Sequence, residues 1–135
     1  VVFSNHRDAL RCFGYKGGHY KRAPWRIKDR NNKEVWFPKL YKNNLWNNSL
    51  SDDFTKIIMK KNDNSKIGPH IKKTHAKILI NKKKYEWIVF AHYKDLLGQV
   101  VYKFLGEFHT LLEETDDYKL VLNRKKTRIY FKDFN

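Results

Sequence analysis

Apolar and polar positions alternate with a period of two along most of the chain, the signature of half-buried β-strands. Residues 34–41 (EVWFPKLY) read as a strand after the turn residues Asp29-Arg30-Asn31-Asn32, with Pro38 placing it at a sheet edge or bulge. Residues 54–60 (FTKIIMK) read as another. Residues 77–80 and 85–93 (YEWIVFAHY) are expected to pair across the polar turn 81–84. The strongest strand is 100–109 (VVYKFLGEFH). There Val100, Tyr102, Phe104 and Phe108 point one way, and Val101, Lys103, Leu105 and Glu107 the other. Residues 118–123 and 128–132 read as a closing hairpin across the cationic turn 124–127. The helical period appears once, over 5–13. Ser4 is the expected N-cap, Ala9, Leu10 and Phe13 share a face, and Gly14 stops the helix. Residues 14–24, 42–51 (KNNLWNNSLS) and 61–73 lack a regular pattern and read as loops.

Six or seven short strands with one or two short helices predict a mainly β domain of the α+β class. The expected architecture is an antiparallel, partly closed β-barrel. At 135 residues the chain suits a single domain spanning 1–135, with enough length to bury a core. The opening Val1-Val2-Phe3 matches neither a signal peptide nor an initiator, so a piece of a larger protein is expected. No apolar run nears the roughly 20 residues of a membrane span, so neither a membrane partner nor a location outside the cytoplasm is expected. The single cysteine, Cys12, excludes a disulfide framework or a cysteine-based zinc site within the chain.

Charge narrows the function. Lys and Arg number 29 against 14 Asp and Glu, a net +15. Self-repulsion of that size opposes compactness, so a polyanionic partner is the simplest reason for it. Nucleic acid fits first; an anionic membrane surface or an acidic protein fits second, and an AT-rich genome supplies some of the Lys and Asn. The candidate phosphate-binding residues are Lys72 and Lys73, then Lys82, Lys83 and Lys84, then Arg124, Lys125, Lys126 and Arg128. Each set falls at an expected loop or turn, where side chains project beyond the sheet.

Aromatic side chains are interleaved with these cations. Trp25, Trp36, Tyr41 and Trp46 lie among Asn, Lys and Arg, and rings there either build core or stack on exposed bases. Tyr41 and Trp46, with the acids Asp52 and Asp53, form the candidate base-recognition set. A carboxylate accepts from the amino group of cytosine, although it also caps a turn. Catalytic patterns are thin, so no catalytic residue, metal or cofactor is expected. Asp52 or Asp53 with Glu86 is the raw material of a metal-dependent nuclease, but the lysine spacing is missing. His70 and His75 have no second pair, and Gly17-Gly18-His19 lacks a P-loop ending.

Residues 85–108 (YEWIVFAHYKDLLGQVVYKFLGEF) carry a strand, a Lys-Asp…Gly turn and a strand ending Tyr-Lys-Phe-Leu-Gly-Glu-Phe. This resembles the end of the small β-barrel reader modules attached to prokaryotic restriction enzymes, in the broad PUA/SRA-like group. The resemblance covers about half the chain. Phe37-Pro38-Lys39-Leu40-Tyr41, followed by residues 49–53, takes the place of the substrate-facing loop. The resemblance implies a double-stranded DNA-reading domain of a defence nuclease whose cleavage domain lies elsewhere. It also implies a target base that is modified and flipped into a pocket. A small stand-alone metal-dependent nuclease and an RNA-binding module are the alternatives.

Overall fold

The computed structural model describes residues 2–18, 24–28, 33–40, 46–61, 86–115 and 119–134. Among them are eight strands: β1 (Val2–Phe3), β2 (Trp25–Arg26), β3 (Lys33–Trp36), β4 (Trp46–Leu50), β5 (Lys56–Lys61), β6 (Glu86–Lys94), β7 (Val100–Thr110) and β8 (Lys119–Lys126). One α-helix, α1 (His6–Arg11), and 3-10 turns at Leu112–Glu114 and Phe131–Phe134 complete the described elements. The strands hydrogen-bond in the order β2-β3-β6-β7-β8-β5-β4, with β1 added to β7. The order has two ends, so the sheet is not closed. The mainly β architecture expected from the alternation is present. The antiparallel pairings include β1–β7, β2–β3, β4–β5 and β5–β8, while β3 and β6 run parallel with Val35 opposite Ile88. That parallel pairing suits the sequence of β6, whose first six residues are all buried: a continuous apolar run has no face left for solvent.

The chain divides into two compact units: Val1–Lys39 with Glu86–Glu107 and Lys126–Asn135, and Leu40–Tyr85 with Phe108–Lys125. In the first unit, Asn5 rather than Ser4 caps α1. Its backbone is extended, and its side chain accepts the Asp8 N–H at 2.9 Å. Asp8 in the first turn and Arg11 in the last complement the helix dipole and pair at 2.6 Å. Ala9, Leu10 and Phe13 face inward as the spacing predicts, onto Val35, Ile88 and Phe90. Gly14, at φ +98°, ends the helix in a conformation costly for other residues. Strand β3 stops two residues before Pro38, whose carbonyl accepts the His92 N–H at 3.0 Å.

The C-terminal segment departs from expectation. Residues 118–123 and 128–132 do not form a hairpin. Strand β8 continues through Lys126, and Phe131–Phe134 then winds into a 3-10 turn. The reason is the spacing of the two phenylalanines. Both pack edge-on against Phe13, at ring-centroid distances of 5.4 and 5.2 Å, which a 3-10 turn permits and an alternating strand does not.

In the second unit, β4 and β5 form a hairpin and β5 pairs with β8. Ile57, Met59, Phe108, Leu120, Val121 and Leu122 are buried there. Residues 46–50 of the expected loop 42–51 are strand instead. Their Asn-Asn-Ser composition hides the alternation: Asn48 is the buried position, opposite Met59. Strand β4 ends the sheet order, and polar residues are typical of such an edge.

Candidate nucleic-acid interface

The acidic pair predicted for base recognition lies in the β4–β5 turn. Ser51 closes it, its N–H donating to the Lys56 carbonyl at 2.9 Å while its hydroxyl accepts the Lys56 N–H at 2.9 Å. One oxygen of Asp53 accepts from the Ser51 and Thr55 hydroxyls, both at 2.7 Å, and from the Thr55 N–H at 3.1 Å. These bonds, the Thr55 hydroxyl first, favour the carboxylate and lower the Asp53 pKa from 3.8 to about 2. Asp53 therefore caps the turn. Asp52 is exposed beside it. Phe54, next in the turn, has φ +61° and is 46% exposed, an unusual backbone for a bulky residue. Trp46 opens β4 with its backbone opposite Lys61, and its side chain lies outside the described residues, as does Tyr41.

Of the cationic candidates, Lys72, Lys73, Lys82, Lys83 and Lys84 lie outside the described residues, as do the strand expected at 77–80 and its pairing. Arg124, Lys125 and Lys126 sit on the end of β8, not on a hairpin turn. Arg124 is half-buried and its N–H donates to the Thr55 carbonyl at 2.7 Å. Lys125, Lys126 and Arg128 are exposed.

Sequence reasoning missed a buried ionic cluster in the first unit. Lys33 on β3 contacts Glu107 of β7 at 2.5 Å and Glu86 of β6 at 3.0 Å, and Lys126 lies 3.7 Å from the other Glu107 oxygen. Glu107 is wholly buried. Burial opposes the charge on Lys33, but hydrogen bonds from Glu107 and Glu86, and their negative charge, outweigh it and raise its pKa above the ordinary 10.5. The visible signal was Gly106. At φ +133° it interrupts the alternation of β7, and residues 105–108 are all buried as a result. Glu86, weighed above as nuclease material, is engaged here by Lys33.

A second feature of the first unit is the turn joining β6 to β7. Asp95 organises it. Its carboxylate accepts the Leu97 and Gln99 N–H groups, both at 2.9 Å. Its own N–H donates to the Gln99 carbonyl at 2.9 Å, and its carbonyl accepts from Gly98 at 3.0 Å. Next to the turn, burial and then the charges of Lys39 and Lys94 hold the His92 pKa below its usual 6.5. Half-buried His6, Phe37 and Tyr102 pack together nearby, with His6 stacked on Phe37 at 3.9 Å and Tyr102 edge-on to His92 at 5.7 Å.

Among the described residues no group of three or more His, Cys, Asp or Glu is placed to hold a metal ion. No helix among them is long and apolar enough to cross a membrane. The model of the SET and RING associated (SRA) domain matches residues 1–131. No curated protein sequence matches. The solved structure of the 5-hydroxymethylcytosine-specific restriction enzyme AbaSI is similar, with a TM-score of 0.78 and 29% sequence identity. The match covers 96% of this chain and 40% of that one, so the chain spans well under half the length of that enzyme.

Proposed function

The chain belongs to the SET and RING associated domain family, and from this we propose that it is the DNA-reading module of a restriction enzyme that recognises modified cytosine. The observation that carries the reading is the family match over residues 1–131, with a fold shared at 29% identity with a 5-hydroxymethylcytosine-specific restriction enzyme. The charge of +15 supports it, because phosphate neutralisation by Lys and Arg supplies the sequence-independent part of DNA affinity. In this reading Lys72, Lys73, Lys82, Lys83, Lys84, Arg124, Lys125, Lys126 and Arg128 serve the phosphate backbone of duplex DNA. Trp46 and Tyr41 stack on a base extruded from the helix, and Asp52 and Asp53 address its polar edge. Asp53 would do so through a turn that its own carboxylate has already made rigid. Cleavage belongs to another part of the parent protein. The stand-alone nuclease has less support, since the Asp53 carboxylate serves its own turn and Glu86 serves Lys33.

The test is equilibrium binding to matched duplexes carrying cytosine, 5-methylcytosine or 5-hydroxymethylcytosine at one position, with an RNA duplex as competitor. Tighter binding to a modified duplex, lost on Trp46→Ala or Asp52→Ala with general affinity retained, is the expected result. Equal affinity for all three duplexes removes modified-base reading, and preference for the RNA removes DNA.

A further inference from the structure

Seven large hydrophobic residues are exposed among those described, and four of them lie on the β6–β7 hairpin: Tyr93, Leu96, Leu97 and Val100. Leu96 and Leu97 are the extreme cases, at 105% and 84% exposure. They are not there to make the turn. Asp95 makes it through two side-chain and two backbone hydrogen bonds, and Gly98 supplies the positive φ of +79°. Polar residues at 96 and 97 would leave every one of those bonds intact. Turn tips ordinarily carry Asn, Asp, Ser or Gly, so two adjacent leucines on a rigid tip call for an apolar destination outside this unit.

The surroundings indicate which one. Lys94 adjoins the tip, and both it and Lys39 lie close enough to depress His92 electrostatically. The acid at the tip, Asp95, has one oxygen committed to two backbone N–H groups. An apolar point with a cationic collar is the composition of side chains that enter a duplex: aliphatic groups part a base step while ammonium groups hold the flanking phosphates. A protein partner would be served by the leucines but not by the lysines.

We infer that the Asp95–Gln99 turn is a wedge into duplex DNA, with Leu96 and Leu97 inserted at a base step and Lys39 and Lys94 on the adjacent phosphates. Because the turn is preformed, insertion requires little ordering of the protein, and the unstacking of the DNA is the main opposing cost. This rests on the DNA-reading function proposed above and adds to it the element that opens the helix.

The experiment uses the whole chain and short duplexes with one central 5-hydroxymethylcytosine and 2-aminopurine placed in turn at each neighbouring position. Wild-type protein is expected to raise the fluorescence at one step, as unstacking does. Leu96→Ser/Leu97→Ser is expected to abolish that rise and to weaken binding to the modified duplex about tenfold, with affinity for unmodified duplex within about twofold. Its melting temperature should match wild type, since neither side chain is buried, and Leu96→Met/Leu97→Met should restore the rise. If wild type binds the duplexes without a fluorescence change, or the serine variant gives the same change, the wedge is overturned and the DNA-reading function stands. If wild type binds no duplex, both fall. If the serine variant differs from wild type only in sedimenting as a smaller species, the leucines belong to a protein interface and the wedge is overturned.

Discussion

Phe54 and Asp53 sit side by side in one turn and pull its stability in opposite directions. Phe54 is in the left-handed region at φ +61°, where a side chain costs roughly 1–2 kcal/mol that glycine does not. Phe54→Gly is therefore expected to stabilise the protein by about 0.5–1 kcal/mol in urea unfolding, net of glycine's greater freedom when unfolded. Phe54→Ala keeps the backbone problem and gives no such gain. Asp53 works the other way. Its folded pKa is depressed from 3.8 to about 2, so its contribution is complete above pH 3.8 and disappears as pH falls toward 2. The difference in melting temperature between wild type and Asp53→Asn is expected to be constant above that range and to close within it. A difference that persists at pH 2 would show that geometry, not charge, is what Asp53 supplies.

At the scale of elements, helix α1 and the long strands were legible because their apolar spacing is dictated by their own geometry. Ala9, Leu10 and Phe13 recur at helical intervals, and 100–109 alternates, so each announces its buried face. Three things were not legible, each because a partner distant in sequence decides them. Strand β4 reads as loop until β5 pairs with it and buries Asn48. The Phe131–Phe134 turn reads as strand until Phe13 is there to receive both rings. Glu107 reads as one more outward charge until Gly106 re-aims the chain and Lys33 meets it. In the candidate site, the charge pattern announced the cations, while the β6–β7 leucines passed unremarked because an apolar pair within an apolar stretch looks like core. The ionic cluster ties β3, β6 and β7 together, so Lys33→Met leaves two buried carboxylates without their shared ammonium. It is expected to destabilise by about 3–5 kcal/mol at neutral pH. Because the Lys33 pKa is raised, its contribution is full below pH 10.5 and is lost as pH climbs past the folded value. The gap between wild type and variant in denaturant midpoint is thus expected to narrow only on the alkaline side.

For the whole molecule the governing quantity is the net charge of +15, which opposes folding and favours a polyanion. Phosphate contacts release counterions, so the logarithm of affinity falls linearly with the logarithm of salt concentration, by roughly 0.9 for each duplex phosphate neutralised. Lys125, Lys126 and Arg128 are exposed at and just beyond the end of β8. Replacing all three with Ala is expected to weaken binding to modified and unmodified duplexes alike. The salt slope falls by roughly 0.9 for each contact removed. Lys126 is expected to contribute least, because its ammonium already lies 3.7 Å from the buried Glu107 carboxylate and must stay near it. The leucine variant of the β6–β7 turn makes a sharp contrast: it removes no charge, so its salt slope stays at the wild-type value while its preference for the modified duplex declines. Titrating both variants across the same salt series separates the two contributions. A slope unchanged by the triple substitution would show that β8 faces away from the DNA, and would leave the segments at 72–73 and 82–84 to hold the backbone.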